Sequence, residues 1–216
     1  MAKKNSEHTE EQHGHDATSR VSASGLRLFC AVELPQEIRA QAARYIATLR
    51  ESKPRGRVSW DSEEKLHLTL KFFGDVEEGR VTQLAGALER AASLINPFEL
   101  GLRGTGAFPP AGLPRVLWLG VTDSSGRLDK LHQHIEDECA RTGYARERKR
   151  FNPHLTIARL RSTEGARSLA ALHKSLEFEA PAFPVTEIVL IRSELGAHGS
   201  RYTKLKNIGM KSRDEG

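Results

Sequence analysis

The apolar positions along the chain follow two different spacings. Continuous apolar runs of strand length, such as "RLFCAVEL" at 27–34, predict buried strands, whereas apolar residues three and four positions apart, as in "VTQLAGAL" from Val81 onward, predict amphipathic helices. Pro35 suits the first turn of the helix that follows the first strand. The first half of the chain is predicted to hold a strand, a helix, two strands, a helix and a strand, at 27–34, 35–52, 57–60, 65–73, 77–94 and 98–108.

The second half repeats much of this order. Its predicted elements are a strand, a helix, a strand, a helix and two final strands, at 115–121, 126–143, 153–160, 164–176, 184–195 and 201–208. Arg27 precedes His67 by 40 residues, and Arg115 precedes His154 by 39. This repetition predicts an α+β fold with two lobes related by a pseudo-two-fold axis. Each lobe is expected to be a small, largely antiparallel sheet with helices on its outer face, with a central cleft between the lobes.

The tripeptide His-Leu-Thr, followed by a branched aliphatic residue, occurs once in each half, in "KLHLTLKFF" and in "NPHLTIARL". Side chains alternate between the faces of a strand, so His67 shares a face with Thr69, and His154 shares a face with Thr156. The leucines between them can anchor each strand to its lobe. The doubled motif therefore predicts a cleft that contains two imidazoles and two hydroxyls.

These groups are suited to attack at phosphorus. A neutral imidazole can accept a proton from water, an imidazolium can protonate the departing oxygen, and threonine hydroxyls can bind the non-bridging oxygens. A single histidine in a strand is usually a partly buried structural residue, but its repetition in matched positions favours a functional pair. We expect no metal site, because neither histidine has an Asp, Glu or Cys beside it at the spacing of metal ligands.

Composition defines the boundaries of the folded part. The 216 residues are 38% apolar and 28% charged, as in one soluble domain, and no apolar run approaches the ~20 residues that span a bilayer. Residues 1–25 are predicted to be a disordered polar tail, residues 26–208 a single bilobal domain, and residues 209–216 a flexible tail. The three histidines of the first tail could bind a metal, but a solvated tail is the simpler interpretation. Cys30 and Cys139 form no Cys-x-x-Cys pair, which fits a protein of the reducing cytoplasm.

The formal net charge of +5 is unevenly distributed. Residues 141–161 contain seven Arg or Lys residues against one acidic residue, Glu147, and they surround the second motif. A run of like charge is usually a solvated surface, but one beside a reactive group favours a polyanionic partner such as RNA. The candidate phosphate contacts are the basic residues between 146 and 150, including Arg150.

Five stretches of the sequence together resemble the RNA 2′,3′-cyclic phosphodiesterases of the 2H phosphoesterase superfamily, once named 2′-5′ RNA ligases. They are "RLFCAVELP", "LHLTLKFFGDV", "GAFP" before "PRVLWLGV", "FNPHLTIARL", and "RSEL" before a final Tyr. The resemblance covers roughly residues 26–206. It implies hydrolysis of a 2′,3′-cyclic phosphate at an RNA end to a 2′-phosphate, without a metal or nucleotide cofactor.

The resemblance also implies roles for individual residues. His67 is expected to be the proton donor and His154 the proton acceptor, with Thr69 and Thr156 holding the phosphate. The partners implied are RNA 3′ ends or cyclic nucleotides. We expect a monomer with no obligate protein partner and no membrane association.

Phe72 and Arg159 each follow a motif histidine by five residues, and the resemblance implies that both lie near the terminal base. Plain strand alternation would place them on the face opposite the histidines, so a bulge or a twist is needed. The alternative is a core phenylalanine and a surface arginine.

Several alternative functions remain open. The chain could act on another small cyclic phosphate or on 2′-5′ linkages, or it could be a non-catalytic module that binds RNA ends. Ligation, if it occurs, would be the cofactor-free reversal of the cyclic-ester chemistry. An ATP-dependent ligase is disfavoured, because "KFFG" at 71–74 lacks the aspartate of the Lys-x-Asp-Gly motif and no phosphate-binding G-x-x-x-x-G-K-[ST] loop is present.

Overall fold

The computed structural model describes residues 25–196 and 199–211. The predicted N-terminal tail up to residue 24, with its three histidines, and residues 212–216 of the predicted C-terminal tail lie outside these ranges. The helices are α1 Gln36–Glu51, α2 Val81–Ala92, α3 Arg127–Arg141 and α4 Ala166–Ser175, with short 3₁₀ turns at Glu63–Lys65 and Glu78–Arg80. The strands are β1 Leu26–Glu33, β2 Val58–Trp60, β3 His67–Val76, β4 Phe98–Phe108, β5 Val116–Thr122, β6 His154–Leu160, β7 Glu179–Val185, β8 Glu187–Gly196 and β9 Gly199–Gly209.

The nine strands of the described part form one curled sheet in which neighbouring strands are antiparallel. Their order is β7-β4-β5-β6-β3-β1-β8-β9, and β2 pairs with β6 beside this path. The centre of this order lies between β6 and β3. Equivalent positions on the two sides of the centre are occupied by β3 and β6, β1 and β5, β8 and β4, and β9 and β7. This correspondence confirms the pseudo-two-fold relation and the α+β class predicted from the repeated element order.

The two lobes are not the two halves of the chain, because the halves interlock. Strand β4 ends the first half but pairs with β5, and strand β8 of the second half pairs with β1. The first helix of each half likewise packs against elements of the other half. Helix α1 packs with α4 and β7, and helix α3 packs with α2 and β3. Each lobe therefore depends on segments from both halves, so neither half can bury its sheet alone.

Strand β7 was not predicted from the sequence. Its seven residues, "EAPAFPV", include Pro181 and Pro184, which cannot donate a hydrogen bond to a neighbouring strand. The strand lies at one edge of the sheet, with β4 as its hydrogen-bonded neighbour, and prolines are tolerated in that position. The predicted strand at 184–195 accordingly splits, and β8 begins at Glu187.

One face of the sheet packs against the helices and forms the main hydrophobic core. The opposite face of the lobe that contains β1 and β8 carries a smaller apolar cluster, consisting of Phe29, Ala31, Val189 and Ile191, with Tyr202 packed against it. The ring centroids of Phe29 and His67 are 4.8 Å apart, so this second cluster packs directly against the histidine of the first motif. Within the described residues, no helix is long and apolar enough to cross a membrane.

A buried ion pair lies inside the main core. Lys71 of β3 is 1% exposed, and its ammonium nitrogen lies 2.5 Å from Oε1 of Glu136 on α3. The same ammonium donates to the carbonyl of Ala145 at 3.0 Å, and Oε2 of Glu136 accepts the backbone N–H of Glu147 at 3.1 Å. These bonds tie the first-motif strand to the helix and loop that lead into the second motif.

Candidate active site

The two motifs meet at the centre of the sheet. Strands β3 and β6 are antiparallel with Leu68 opposite Leu155, so His67 lies opposite Thr156, and Thr69 lies opposite His154. Directly opposed residues have Cβ atoms roughly 4.5–5.5 Å apart. Both leucines are buried on the helix side. One register therefore places two imidazoles and two hydroxyls together on the open face of the sheet.

A bulge in each motif strand places a further residue on this face. Leu70 and Lys71 are buried in succession, and the pairing of β3 with β1 shifts register there. Phe72 therefore returns to the side of His67, with 57% of its surface exposed.

The second strand repeats this device. Ile157 and Ala158 are buried in succession, and the pairing of β6 with β5 shifts between Leu117 and Trp118. Arg159 consequently turns to the open face. The bulge that the five-residue spacing required is therefore present in both strands.

Both motif histidines are oriented by the same type of hydrogen bond. Nδ1 of His67 lies 2.7 Å from the carbonyl oxygen of Lys65, and Nδ1 of His154 lies 2.7 Å from that of Asn152. A carbonyl can only accept, so each Nδ1 carries a proton and each neutral ring keeps Nε2 as its proton acceptor. Nε2 of His67 is 3.0 Å from the hydroxyl of Thr69, which donates to it.

The environment favours the neutral form of both rings. Burial lowers the pKa of His67 and of His154, and the hydrogen bond to the carbonyl opposes this shift in each case. The positive charge of Arg159 lowers both pKa values further. A nearby carboxylate, Glu33, acts on His67 in the opposite direction and favours its imidazolium.

The histidine of the first motif opens into a cavity of about 460 Å³. Thr69, Thr156, Phe72 and Arg159 also line it. The volume lies within the range of small-molecule sites. The charged side chains of its wall are four cations and one carboxylate, namely Arg27, Lys65, Arg159, Arg161 and Asp61. This balance attracts an anionic ligand.

His154 and Arg150 lie outside the residues that line this cavity. His154 lies opposite Thr69, and its ring packs edge-on against Phe108 with the centroids 5.0 Å apart. Arg150 instead lines a separate cavity of about 550 Å³ at the start of α3, together with Asp123 and Asp129. The structure therefore does not bring Arg150 to the cleft. The cavity of about 460 Å³ is the candidate active site despite its smaller volume, because His67 and both motif threonines line it.

Asp61 and Tyr202 are among the residues of the cavity wall that were not predicted as site residues from the sequence. The ring of Tyr202 lies edge-on to that of His67, with the centroids 5.3 Å apart. Tyr202 comes from β9, far from either motif in sequence, so only the strand order places it there. Asp61 follows the short strand β2, and no pattern within the chain distinguishes it from a surface loop aspartate.

His173 of α4 has a structural role. Its side chain is buried, its Nδ1 lies 2.8 Å from the hydroxyl of Tyr45, and its Nε2 lies 3.0 Å from the carbonyl of Trp118. Burial lowers the pKa of His173. Its ring is fully occupied in holding α4 against α1 and β5.

Comparison with known proteins agrees with this geometry. Residues 35–197 match the model of the 2′-5′ RNA ligase superfamily. The RNA 2′,3′-cyclic phosphodiesterase of Methanothermobacter thermautotrophicus is 35% identical over 182 residues, which cover 84% of this chain and 97% of that protein.

Solved structures show the same similarity. The protein TT0787 of Thermus thermophilus superimposes with a TM-score of 0.74 at 29% identity, covering 86% of this chain and 98% of that one. Escherichia coli LigT in complex with 3′-AMP superimposes with a TM-score of 0.65 at 28% identity, covering 87% of this chain and 99% of LigT. The family model covers most of the chain, and a curated relative aligns along nearly its whole length. The chain therefore belongs to the 2′-5′ RNA ligase superfamily.

Proposed function

We propose that this protein hydrolyses the 2′,3′-cyclic phosphate at the 3′ end of RNA and leaves a 2′-phosphate. The observation that carries the proposal is the register of β3 and β6, which sets the two His-Leu-Thr motifs side by side on the open face of the sheet. Relatives that are 35% and 36% identical and are named RNA 2′,3′-cyclic phosphodiesterase support the same activity. The cationic wall of the cavity suits the phosphodiester anion.

The two histidines divide the proton transfers. Nε2 of His154 accepts a proton from water as the water attacks phosphorus, and Nε2 of His67, protonated, donates its proton to the departing 3′ oxygen. One P–O bond forms, one breaks, and the phosphate remains on the 2′ oxygen. The protons return to their starting sites by exchange with solvent.

The charges around the two rings support this assignment. Arg159 lowers the pKa of both rings, and the carboxylate of Glu33 opposes this effect at His67, so His67 is the ring with a nearby charge that favours its imidazolium. A bound phosphodiester anion raises the pKa of a nearby imidazole, because its negative charge stabilises the imidazolium. Protonation of His67 is therefore coupled to substrate binding.

The remaining groups of the cleft act on the phosphate and the base. The hydroxyls of Thr69 and Thr156 donate to the non-bridging oxygens, and Arg159 offsets the charge that builds up on them. When His67 is protonated it no longer accepts from Thr69, so that hydroxyl becomes available to the phosphate. The exposed ring of Phe72 offers an apolar surface on which a base can stack.

The same geometry would also allow ligation. An RNA 5′-hydroxyl in place of water would attack the same phosphorus, release the 3′ oxygen, and leave a 2′-5′ phosphodiester. Neither reaction consumes a cofactor, and the superfamily name agrees with ligation. We propose that the chain acts as a monomer, since both motifs of the site lie on one chain.

Product analysis tests this proposal. The protein is incubated with a 2′,3′-cyclic nucleotide, and the product is separated by chromatography or identified by phosphorus NMR. We expect a 2′-phosphate. A 3′-phosphate would show that the acid and the base are assigned the wrong way round, and binding of RNA ends without turnover of any cyclic phosphate would favour a non-catalytic RNA-end binding module.

A further inference from the structure

The cleft contains a carboxylate that phosphate chemistry does not require. Asp61 lies directly after β2, and its backbone N–H donates to the carbonyl of Ile157 at 3.0 Å. This bond holds it against the strand of the second motif. Its side chain lines the same cavity as His67 and Thr156. A negative charge in this position opposes binding of the phosphate anion. We therefore infer that the carboxylate contacts a part of the ligand other than the phosphate.

Within residues 25–196 and 199–211, the carboxylate of Asp61 has no close partner. No Lys or Arg nitrogen there lies within 4.0 Å of it, and Lys65, Arg159 and Arg161 act on it only through longer-range charge. Burial raises its pKa although three cations oppose that shift, so the cost of desolvation is not compensated inside the protein. An acceptor of this kind, facing a cavity, is satisfied by a donor on the ligand.

The substrate of the proposed function, on which this inference rests, has few hydrogen-bond donors that could satisfy the carboxylate of Asp61. A 2′,3′-cyclic phosphate occupies both ribose oxygens, so the hydrogen-bond donors left on the terminal nucleoside of an RNA chain are the N–H groups of its base. A carboxylate accepts with two oxygens. Guanine matches it best, because N1–H and the N2 amino group are adjacent donors on one edge, whereas the other bases alternate donors with acceptors.

The cavity that Asp61 lines also offers apolar surface to a base. Two of the exposed large apolar side chains, Phe72 at 57% and Leu195 at 75%, belong to the same cavity wall. Phe72 comes from β3 and Leu195 from the end of β8, so the wall offers apolar surface from two separate strands. A purine can stack on such surface while its edge hydrogen-bonds to a carboxylate.

We propose that Asp61 accepts two hydrogen bonds from guanine and makes this site selective for RNA ends that terminate in guanosine 2′,3′-cyclic phosphate. Stacking binds any base, so the selectivity comes from the edge contact alone. Asp61 is a specificity-determining residue in this scheme and takes no part in the proton transfers.

Two substrates that differ in a single amino group test the proposal. Guanosine 2′,3′-cyclic phosphate and inosine 2′,3′-cyclic phosphate have the same size and stacking surface, but inosine lacks the N2 amino group. We expect kcat/KM of the wild type to favour guanosine by on the order of tenfold, within the range for a bidentate contact to a base. In Asp61→Ala the ratio of the guanosine value to the inosine value falls to about 1, because the contact that distinguishes the two bases is lost.

The ratio within one protein does not depend on the fraction that is folded or on the charge at the histidines, since both factors affect the two substrates equally. Asp61→Asn, which preserves the shape of the side chain and keeps one acceptor, gives an intermediate ratio. The control is Asp129→Ala, an exposed carboxylate away from this cavity, which keeps the wild-type ratio. A wild-type ratio near 1, or an unchanged ratio in Asp61→Ala, overturns the inference and leaves hydrolysis intact. Absence of turnover of both substrates by the wild type would instead refute the proposed function.

Discussion

Replacement of Lys71 by methionine should destabilise the protein strongly although the residue takes no part in the proposed chemistry. The substitution keeps an unbranched apolar side chain of similar length but removes the ammonium that lies 2.5 Å from Glu136. The carboxylate of Glu136 is then left buried with the backbone N–H of Glu147 as its remaining hydrogen bond. The carbonyl of Ala145 also loses its donor.

The expected cost follows from this burial. Breaking a buried ion pair by removing one partner costs about 3–5 kcal/mol, because the other charge stays buried without compensation. For a protein of this size each kcal/mol shifts Tm by roughly 2–4 °C, so we expect a loss of about 6–20 °C. Urea unfolding followed by far-UV circular dichroism measures the free energy, and an unchanged m-value shows that the comparison is valid.

Two further variants make the test specific. Glu136→Leu combined with Lys71→Met removes both charges, so the double variant should be more stable than the sum of the single losses predicts. Lys206→Met breaks the exposed pair with Glu89, at 2.6 Å, and should cost only about 0–1 kcal/mol. Two results would refute the reasoning: a loss below about 1 kcal/mol in Lys71→Met, or strict additivity of Lys71→Met and Glu136→Leu.

The other predictions concern catalysis and RNA binding. His67→Ala and His154→Ala should each lower kcat by about 10²–10⁴-fold with an unchanged circular dichroism spectrum, and the double variant should lose far less than the product of the two. A single variant near the wild-type rate would contradict the two-histidine mechanism. Because burial and Arg159 lower the pKa of both histidines, the bell-shaped pH profile of kcat/KM should be centred below histidine's usual value of about 6.5, and EDTA should not change the rate. Arg159→Gln removes a positive charge, raises both pKa values and should move the profile to higher pH; a profile that stays in place would show that this charge does not act on the histidines. Arg148 and Lys149 are exposed, and their replacement by Gln should flatten the dependence of log K for an oligonucleotide on log salt by roughly one to two units, whereas an unaltered slope would assign both to a solvated surface.

The basic segment shows where charge counting stops being informative. Its residues are neighbours in sequence, but the structure separates their environments. Arg146 pairs with Asp137 at 2.6 Å, and Arg150 lines a cavity with Asp123 and Asp129. A count of charges records sign and position along the chain, whereas an interaction with RNA depends on which charges remain unpaired and face the ligand.

Local information in the sequence was sufficient for the central feature of the site. The alternation of side chains in a strand places His67 with Thr69 and His154 with Thr156, whatever the rest of the fold does. The repeat of element order similarly predicted the pseudo-two-fold arrangement. The first inference rests on a periodicity within one strand, and the second rests on a comparison of the chain with itself. Neither requires knowledge of a long-range contact.

The tertiary structure decided how these pieces fit together. Bulges set by pairing with β1 and β5 turned Phe72 and Arg159 into the cleft, and the strand order brought Tyr202 and Asp61 to the same wall. The interlocking of the two halves was equally invisible in the repeat, because a repeat shows what the units are and not which unit each strand pairs with. Register shifts and strand partners depend on the free energy of packing two distant segments against each other, and that energy is not contained in either segment alone.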